Sequence, residues 1–421
     1  MFDIFSLPEV RMPDGFLWGA GYAGHQVEGN NVHSQLWERE KGREDPDRKS
    51  GMACNSYELW QRDVEIIKEC GLQAFRTSVE WSRIEPYEGQ FCREALDHYV
   101  AFFSALKEEG VKVFATMVHL TVPLWFHKKG GFENLDNLRY FERYLEFVVP
   151  SLAPYVDFWN VLNEFNLSSV DGKLGSIRYH ALGYHIIKKY SSSPVSSAHA
   201  LTQYAPKRPC DRFDRAMAEY QDLCFNEFFF HGIRTGEIVF PHKDAVYCPE
   251  LRGAADFWSV NMYVREMVDA RASSLRGMRY DFKRMEMIDM DFYLEEFDPE
   301  CIVNNLGRIH DKPIYITENG VACKDDRFRI IFISEYLSAI RQAISFGADV
   351  RGYLHWSLLD NYEWGSYKPK FGLYAVDLET FERTAKPSSK FYREIIEGNG
   401  VTQQLIAKHL KDIPSLVQTG E

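Results

Sequence analysis

Phe158-Trp159-Asn160-Val161-Leu162-Asn163-Glu164 is a short apolar run that breaks into an amide and a carboxylate at its C-terminal end. It is too short for a typical helix and rich in aromatic and branched residues, so it reads as a buried strand. Pro313-Ile314-Tyr315-Ile316-Thr317-Glu318-Asn319-Gly320 repeats the design, again ending in a glutamate. Working outward, similar runs fall near 16–20, 74–79, 113–119, 196–203, 257–263 and 352–357, which makes eight. Amphipathic windows lie between them. One runs from Ser56 to about Cys70, with Asn55 as cap, Glu58 completing a capping box and Gly71 as stop. A second carries Phe141, Tyr144, Leu145, Val148 and Val149; a third starts near Asp325 and ends before Gly347. Strand alternating with helix implies a parallel sheet, and eight repeats favour an α/β fold of one closed (β/α)8 TIM barrel. A doubly wound open sheet is the rival, but no G-x-G-x-x-G follows the first strand. No linker, repeat or low-complexity run divides residues 1–421, so one domain is expected.

Composition narrows the class. The 421 residues are 45% apolar, 26% charged and 15% aromatic, which fits a soluble globular protein. Lys and Arg number 49 against 61 Asp and Glu, a net charge of −12 that repels a phosphate backbone and argues against a nucleic-acid partner. The eight cysteines form no C-x-x-C pair. Met1 to Pro8 has no basic region followed by an apolar run, so no signal peptide is visible. No stretch approaches the ~18 consecutive apolar residues of a membrane span. A reduced, cytoplasmic protein is the simplest expectation.

In a TIM barrel, chemistry sits at the C-terminal ends of the strands. The polar residues expected there are Arg76, His119, Asn163-Glu164, Asn261 with Tyr263, Glu318-Asn319 and Trp356. Two strand-end glutamates at one mouth suggest the paired acid/base or acid/nucleophile work of glycoside cleavage. Taken singly, each could be a salt-bridged surface residue; the pair, with aromatics beside it, favours catalysis. A metal-dependent hydrolase would need converging His, Asp and Cys ligands, and only His119 qualifies. No metal or other cofactor is implied.

Three segments then carry a resemblance to glycoside hydrolase family 1, the β-glucosidase family, from about Asp14 to about Ile396. Phe16-Leu17-Trp18-Gly19-Ala20-Gly21-Tyr22-Ala23-Gly24-His25-Gln26-Val27-Glu28-Gly29 resembles the N-terminal signature of that family. Tyr315-Ile316-Thr317-Glu318-Asn319-Gly320 resembles its nucleophile segment, and Trp356-Ser357-Leu358-Leu359-Asp360-Asn361-Tyr362-Glu363-Trp364 its sugar-recognition segment. The resemblance implies a retaining β-glycosidase. Glu318 would be the nucleophile and Glu164 the acid/base, with Arg76 and Tyr263 beside the nucleophile. It further implies that Asn163 reads the sugar 2-OH, supported by Asn261, and that Gln26, His119, Glu363 and Trp364 contact the sugar. Trp356 would form the floor under the pyranose ring, with Phe371 lining the same pocket. A cis peptide between Trp356 and Ser357 is expected on the same ground.

The match has departures. Leu120 stands where an aromatic commonly follows the histidine, Phe165 where proline usually follows the acid/base, and Met262 where a second tyrosine is common. Residues from about 270 to 297 match poorly, so the leaving-group side of the pocket is not read. A carboxylate at Glu363 would repel a 6-phosphate, which points to unphosphorylated small-molecule β-glycosides or oligosaccharides as partners. β-Galactosidase, β-fucosidase or β-mannosidase specificity would use the same mechanism; a non-catalytic sugar-binding barrel is a remote alternative. Residues 400–421 run past the usual family end. There Leu405, Ile406, Leu410 and Ile413 make an amphipathic segment able to pack on the barrel or on a second subunit of a homo-oligomer.

Overall fold

The computed structural model describes residues 4–271, 287–289 and 294–410. Its centre is a closed barrel of eight parallel strands: β1 Leu17–Gly21, β2 Ala74–Ser78, β3 Lys112–Val118, β4 Phe158–Asn163, β5 Val195–Ala200, β6 Trp258–Asn261, β7 Ile314–Asn319 and β8 Val350–Trp356. Each strand pairs with its neighbours in chain order, and β8 closes on β1. The strands are buried on both faces, which is why they read as near-continuous apolar runs. Ala74, Phe114, Phe257 and Leu354, joined by Leu17, Phe158 and Tyr315, fill one layer of the barrel interior. Phe114 and Phe158 stack there at 4.2 Å.

Helices sheathe the barrel: α1 Trp60–Glu69, α2 Arg93–Glu108, α3 Leu138–Leu152, α4 Val170–Tyr190, α5 Phe228–Thr235, α6 Glu300–Leu306, α7 Asp326–Ser345 and α8 Pro387–Gly398. The apolar face expected of α3 is buried throughout, as are Ile333, Tyr336, Leu337 and Ile340 of α7. Asp325 caps α7 by accepting from the Arg327 amide at 3.0 Å. Burying each such side chain is worth about 1.5–3 kcal/mol.

The first helix corrects the sequence reading. It begins at Trp60, with Leu59 at the cap position, not after Asn55. Asn55 is left-handed at φ 53°, and the amides of Ser56 and Tyr57 donate to the carbonyls of Val27 and Glu28. The segment before Trp60 is therefore committed to the loop that follows β1. Gly71, at φ +66°, ends the helix as expected.

Val10–Arg11 pairs antiparallel with Gly400–Val401, joining the segment before β1 to the one after α8. A last helix, Gln403–His409, is capped by Thr402 and buries Ile406 and Leu410. Lys408 and His409 both reach Glu394 on α8, so this segment packs on its own barrel. Ile413 lies outside the described residues. Among the described residues, no helix is long and apolar enough to cross a membrane. None of the eight cysteines forms a disulfide.

Candidate active site

The chain order of the barrel delivers the strand-end residues to one mouth. Glu318, at the end of β7, is buried and pairs with the guanidinium of Arg76 from β2. Its second oxygen accepts from the Tyr263 hydroxyl at 2.8 Å. Arg76 is itself fixed by Thr116 Oγ1 at 3.2 Å and by Asn163 Oδ1 at 2.5 Å. A register shift after Val260 sets Asn261 of β6 beside Glu318. The Met262 amide then donates to the Glu318 carbonyl at 2.9 Å, which holds the turn carrying Tyr263.

Glu164, one residue past β4, has a different environment. Among the described residues no cation pairs with it; its carboxyl accepts a hydrogen bond from Asn261 Nδ2 at 3.0 Å. Burial, reinforced by the charge of Glu318, pushes its pKa up to about 8. One carboxyl is thus paired with an arginine and a tyrosine, and its neighbour is held largely neutral near pH 7. Environments that separate two carboxyls in this way assign one to proton donation and the other to charge or nucleophilic work.

Asn163 joins the two halves of the site. Because its Oδ1 accepts from Arg76, its amide nitrogen faces His119 Nε2, 3.2 Å away. Burial and the Arg76 charge push the His119 pKa well below its ordinary value, so the ring is neutral. Nε2 then accepts from Asn163, and the proton resides on Nδ1. The ring lies nearly parallel to Trp356 at 5.8 Å and to Trp364 at 5.9 Å. The Trp356 indole donates to Glu363 at 3.0 Å, and Gln26 Nε2 donates to the other Glu363 oxygen at 3.1 Å. Burial pushes Glu363 up to about 8 as well. The Trp356–Ser357 peptide is cis.

These groups surround a cavity of about 390 Å³. Glu164, Glu318, His119, Asn261, Tyr263, Trp356, Glu363, Trp364 and Phe371 line it. Gln26, Arg76 and Asn163 stand directly behind the lining. Gln26 is fully buried, its Nε2 bound to Glu363, and its Oε1 has no hydrogen-bond partner among the described residues.

The opposite wall was not anticipated. Leu167, Thr202, Tyr204, Phe225 and Val264 line it too, with Leu120, Ala200 and Glu266. Past the barrel rim, the chains leaving β5 and β6 pair again as Gln203–Pro206 with Arg265–Val268, raising a short parallel ribbon above the mouth. Phe225 sits in a π-helical turn, Leu223–Glu227, edge-on to Tyr204 at 5.6 Å. The sequence signal here was only an aromatic or two inside polar, non-periodic loops.

Comparison with known proteins agrees with this geometry. The model of the glycosyl hydrolase family 1 matches residues 9–203 and 176–401. The chain belongs to glycosyl hydrolase family 1. It is a glycoside hydrolase acting on O-glycosyl bonds. Similar proteins include a β-galactosidase from Pyrococcus woesei, 27% identical over 93% of this chain and 98% of that protein. β-Glucosidase A of Acetivibrio thermocellus is 27% identical over 94% of this chain and all of that one. Among solved structures, a β-glycosidase from Pyrococcus horikoshii matches with a TM-score of 0.83 and 30% identity, covering 97% of this chain and 100% of that one. The family 1 barrel is the fold of these relatives, and its eight strands coincide with those read from the sequence.

Proposed function

We propose that the protein is a retaining β-glycosidase that removes terminal, unphosphorylated β-D-glucosyl residues, with Glu318 as nucleophile and Glu164 as acid/base. The carrying observation is the opposed setting of the two carboxyls: Glu318 against Arg76 and Tyr263, Glu164 uncharged beside Asn261. In the first step Glu318 attacks the anomeric carbon, and the bond from that carbon to the leaving oxygen breaks. The Glu164 proton passes to that oxygen. Esterification removes the Glu318 charge, which lowers the Glu164 pKa and readies it as a base. Glu164 then takes a proton from water, whose oxygen attacks the same carbon and releases Glu318.

The neutral His119, with its proton on Nδ1, is a donor for a sugar hydroxyl; Glu363 and Trp356 provide a polar edge and a flat face. A galactosyl unit is the second reading, because the β-galactosidase and β-glucosidase relatives are equally similar, at 27% identity each. A reducing, cytoplasmic setting belongs to the proposal, supported by cysteines outside any disulfide, Cys210 among them at the surface. Hydrolysis of an aryl β-glucoside followed by NMR tests the mechanism: the β-anomer should form first, and an α-anomer would overturn it. Glu318→Gln should abolish turnover; full activity would leave a sugar-binding barrel with a different catalytic apparatus.

A further inference from the structure

The acid/base turn is held in an unusual way. Glu164 is left-handed, at φ 47° and ψ 34°. A non-glycine residue there is costly unless its surroundings impose it. The following residue is Phe165, so no proline ring stiffens the turn. Two backbone hydrogen bonds hold it: the Glu164 amide donates to the Ala198 carbonyl of β5 at 2.8 Å, and the Leu167 amide to the Glu164 carbonyl at 3.0 Å.

Asn166 supplies the rest. It is fully buried directly behind Glu164 and the cavity lining. Its Oδ1 accepts from the Ala200 amide at 3.1 Å. Its Nδ2 reaches the Ala200 carbonyl at 2.9 Å, the Phe225 carbonyl at 3.2 Å and His199 Nε2 at 3.3 Å. An amide has two N–H groups, so one of these three is not a bond it donates. His199 decides which: its Nδ1 has no partner, and its Nε2 lies 3.4 Å from Asn226 Oδ1. With the proton on Nε2, His199 donates to Asn226, and Asn166 donates to Ala200 and Phe225. Asn226 in turn binds the Thr202 carbonyl at 2.8 Å and Asp222 at 2.7 Å. One side chain therefore clamps the acid/base turn to the end of β5 and to the π-turn that carries Phe225 into the cavity.

We infer that Asn166 is a positioning residue for proton donation by Glu164: its amide, in place of a rigid following residue, aims the acid at the leaving oxygen. This rests on the acid/base assignment of Glu164 above.

Leaving-group dependence tests it. Departure of a good leaving group such as 2,4-dinitrophenolate needs no proton, whereas phenolate departure does. A well-placed general acid contributes about 10²–10⁴-fold, and a displacement near 1 Å costs about 10²-fold. Asn166→Ala should therefore lower kcat/KM for phenyl β-glucoside by roughly 10²-fold. For 2,4-dinitrophenyl β-glucoside it should change little. Asn226→Ala, which removes a clamp on Thr202 and Asp222 and reaches the acid turn only indirectly through His199, should lower both substrates equally. If Asn166→Ala does not fold, the isosteric Asn166→Asp, which keeps the shape and loses both donors, carries the same expectation. Equal loss on the two substrates would overturn the inference. A Glu164→Ala arm separates the two readings: if that variant also loses both substrates equally, the acid/base assignment has failed, and not merely the role of Asn166.

Discussion

Replacing Glu318 with glutamine removes the negative charge facing Glu164 while nearly preserving its shape. Burial is the larger reason that Glu164 titrates at about 8 and the Glu318 charge the next, with Asn261 and Arg76 opposing both. Carboxyls of a retaining pair lie about 5–5.5 Å apart. At an effective dielectric near 20, two unit charges at that range interact by about 3 kcal/mol. That equals roughly two pK units. The Glu164 midpoint in Glu318→Gln should therefore fall to roughly 6. Because burial remains, it should not return to the ordinary 4.5. The glycosyl-enzyme, where Glu318 is an uncharged ester, should show the same fall.

Infrared titration of the protonated carboxyl stretch measures this directly. The wild type is compared with Glu164→Gln, and Glu318→Gln with the double variant, so that each difference isolates Glu164. In the wild type, the kcat/KM profile should lose activity as pH rises through about 8, the acid form being the active one. A Glu164 midpoint unmoved in Glu318→Gln would show that burial alone sets it. The acid could then not become a base between the two steps, and the double-displacement account would fail.

Other perturbations follow from the same contacts. Tyr263→Phe removes the 2.8 Å bond to Glu318; kcat should drop by roughly tenfold, in line with about 1.5–3 kcal/mol for a bond to a charged group, and an unchanged kcat would remove Tyr263 from the site. Between the ordinary carboxyl range and about 8, the folded protein holds more protons at Glu164 than the unfolded chain, so stability falls as pH rises across that window. Glu164→Gln should therefore unfold at higher denaturant than wild type at pH 8.5 and at nearly the same denaturant at pH 4, by a few kcal/mol at most; equal midpoints at both pH values would contradict the raised pKa. Gly320→Ala would set a methyl 1.8 Å from the Trp356 carbonyl oxygen. Strands β7 and β8 must then separate, so a loss above about 3 kcal/mol is expected with loss of turnover, checked by chemical denaturation and an aryl-glucoside assay.

The barrel was legible in the sequence because its strands are buried on both faces and end in polar side chains. Phe158–Asn163 and Ile314–Asn319 are where the apolar runs placed them, and Glu164 and Glu318 mark their ends. The start of α1 was misread because Asn55 and Glu58 satisfy a local capping pattern, while Ser56 and Tyr57 are claimed by the distant carbonyls of Val27 and Glu28. Long-range pairing overrode a locally consistent cap. Gln26 was read as part of the sugar site from the resemblance alone; sequence spacing could not show that its Nε2 is tied to Glu363 while its Oε1 stays without a partner among the described residues. The wall of Thr202, Tyr204, Phe225 and Val264 left no trace because it is assembled from loops without period. Asn166 carries no signal of its own in the sequence, because its partners come from β5 and from the π-turn.

The exclusion of phosphorylated sugars needs a different reason from the one the sequence suggested. Glu363 as a plain carboxylate would repel a 6-phosphate, yet burial raises it to about 8, so near pH 7 it is mostly protonated and repels little. The stronger obstacle is the lack of a cation among the described lining residues. Among the described residues, Glu164, Glu266, Glu318 and Glu363 line the cavity and no lysine or arginine does; Arg76, behind the lining, is committed to Glu318 and Asn163. A phosphate dianion would be desolvated there without a counter-charge, at a cost of several kcal/mol. An unphosphorylated aryl β-glucoside should therefore exceed its 6-phosphate in kcat/KM by at least about 10²-fold near pH 7, each tenfold being about 1.4 kcal/mol. Glu164 titrates in the same range, but it serves both substrates, so its effect cancels in the ratio and the ratio reports Glu363. Discrimination should widen as pH rises through about 8, where Glu363 ionises. A 6-phosphate cleaved as fast as the plain glucoside would refute the charge argument outright, and a ratio flat with pH would refute the protonation of Glu363.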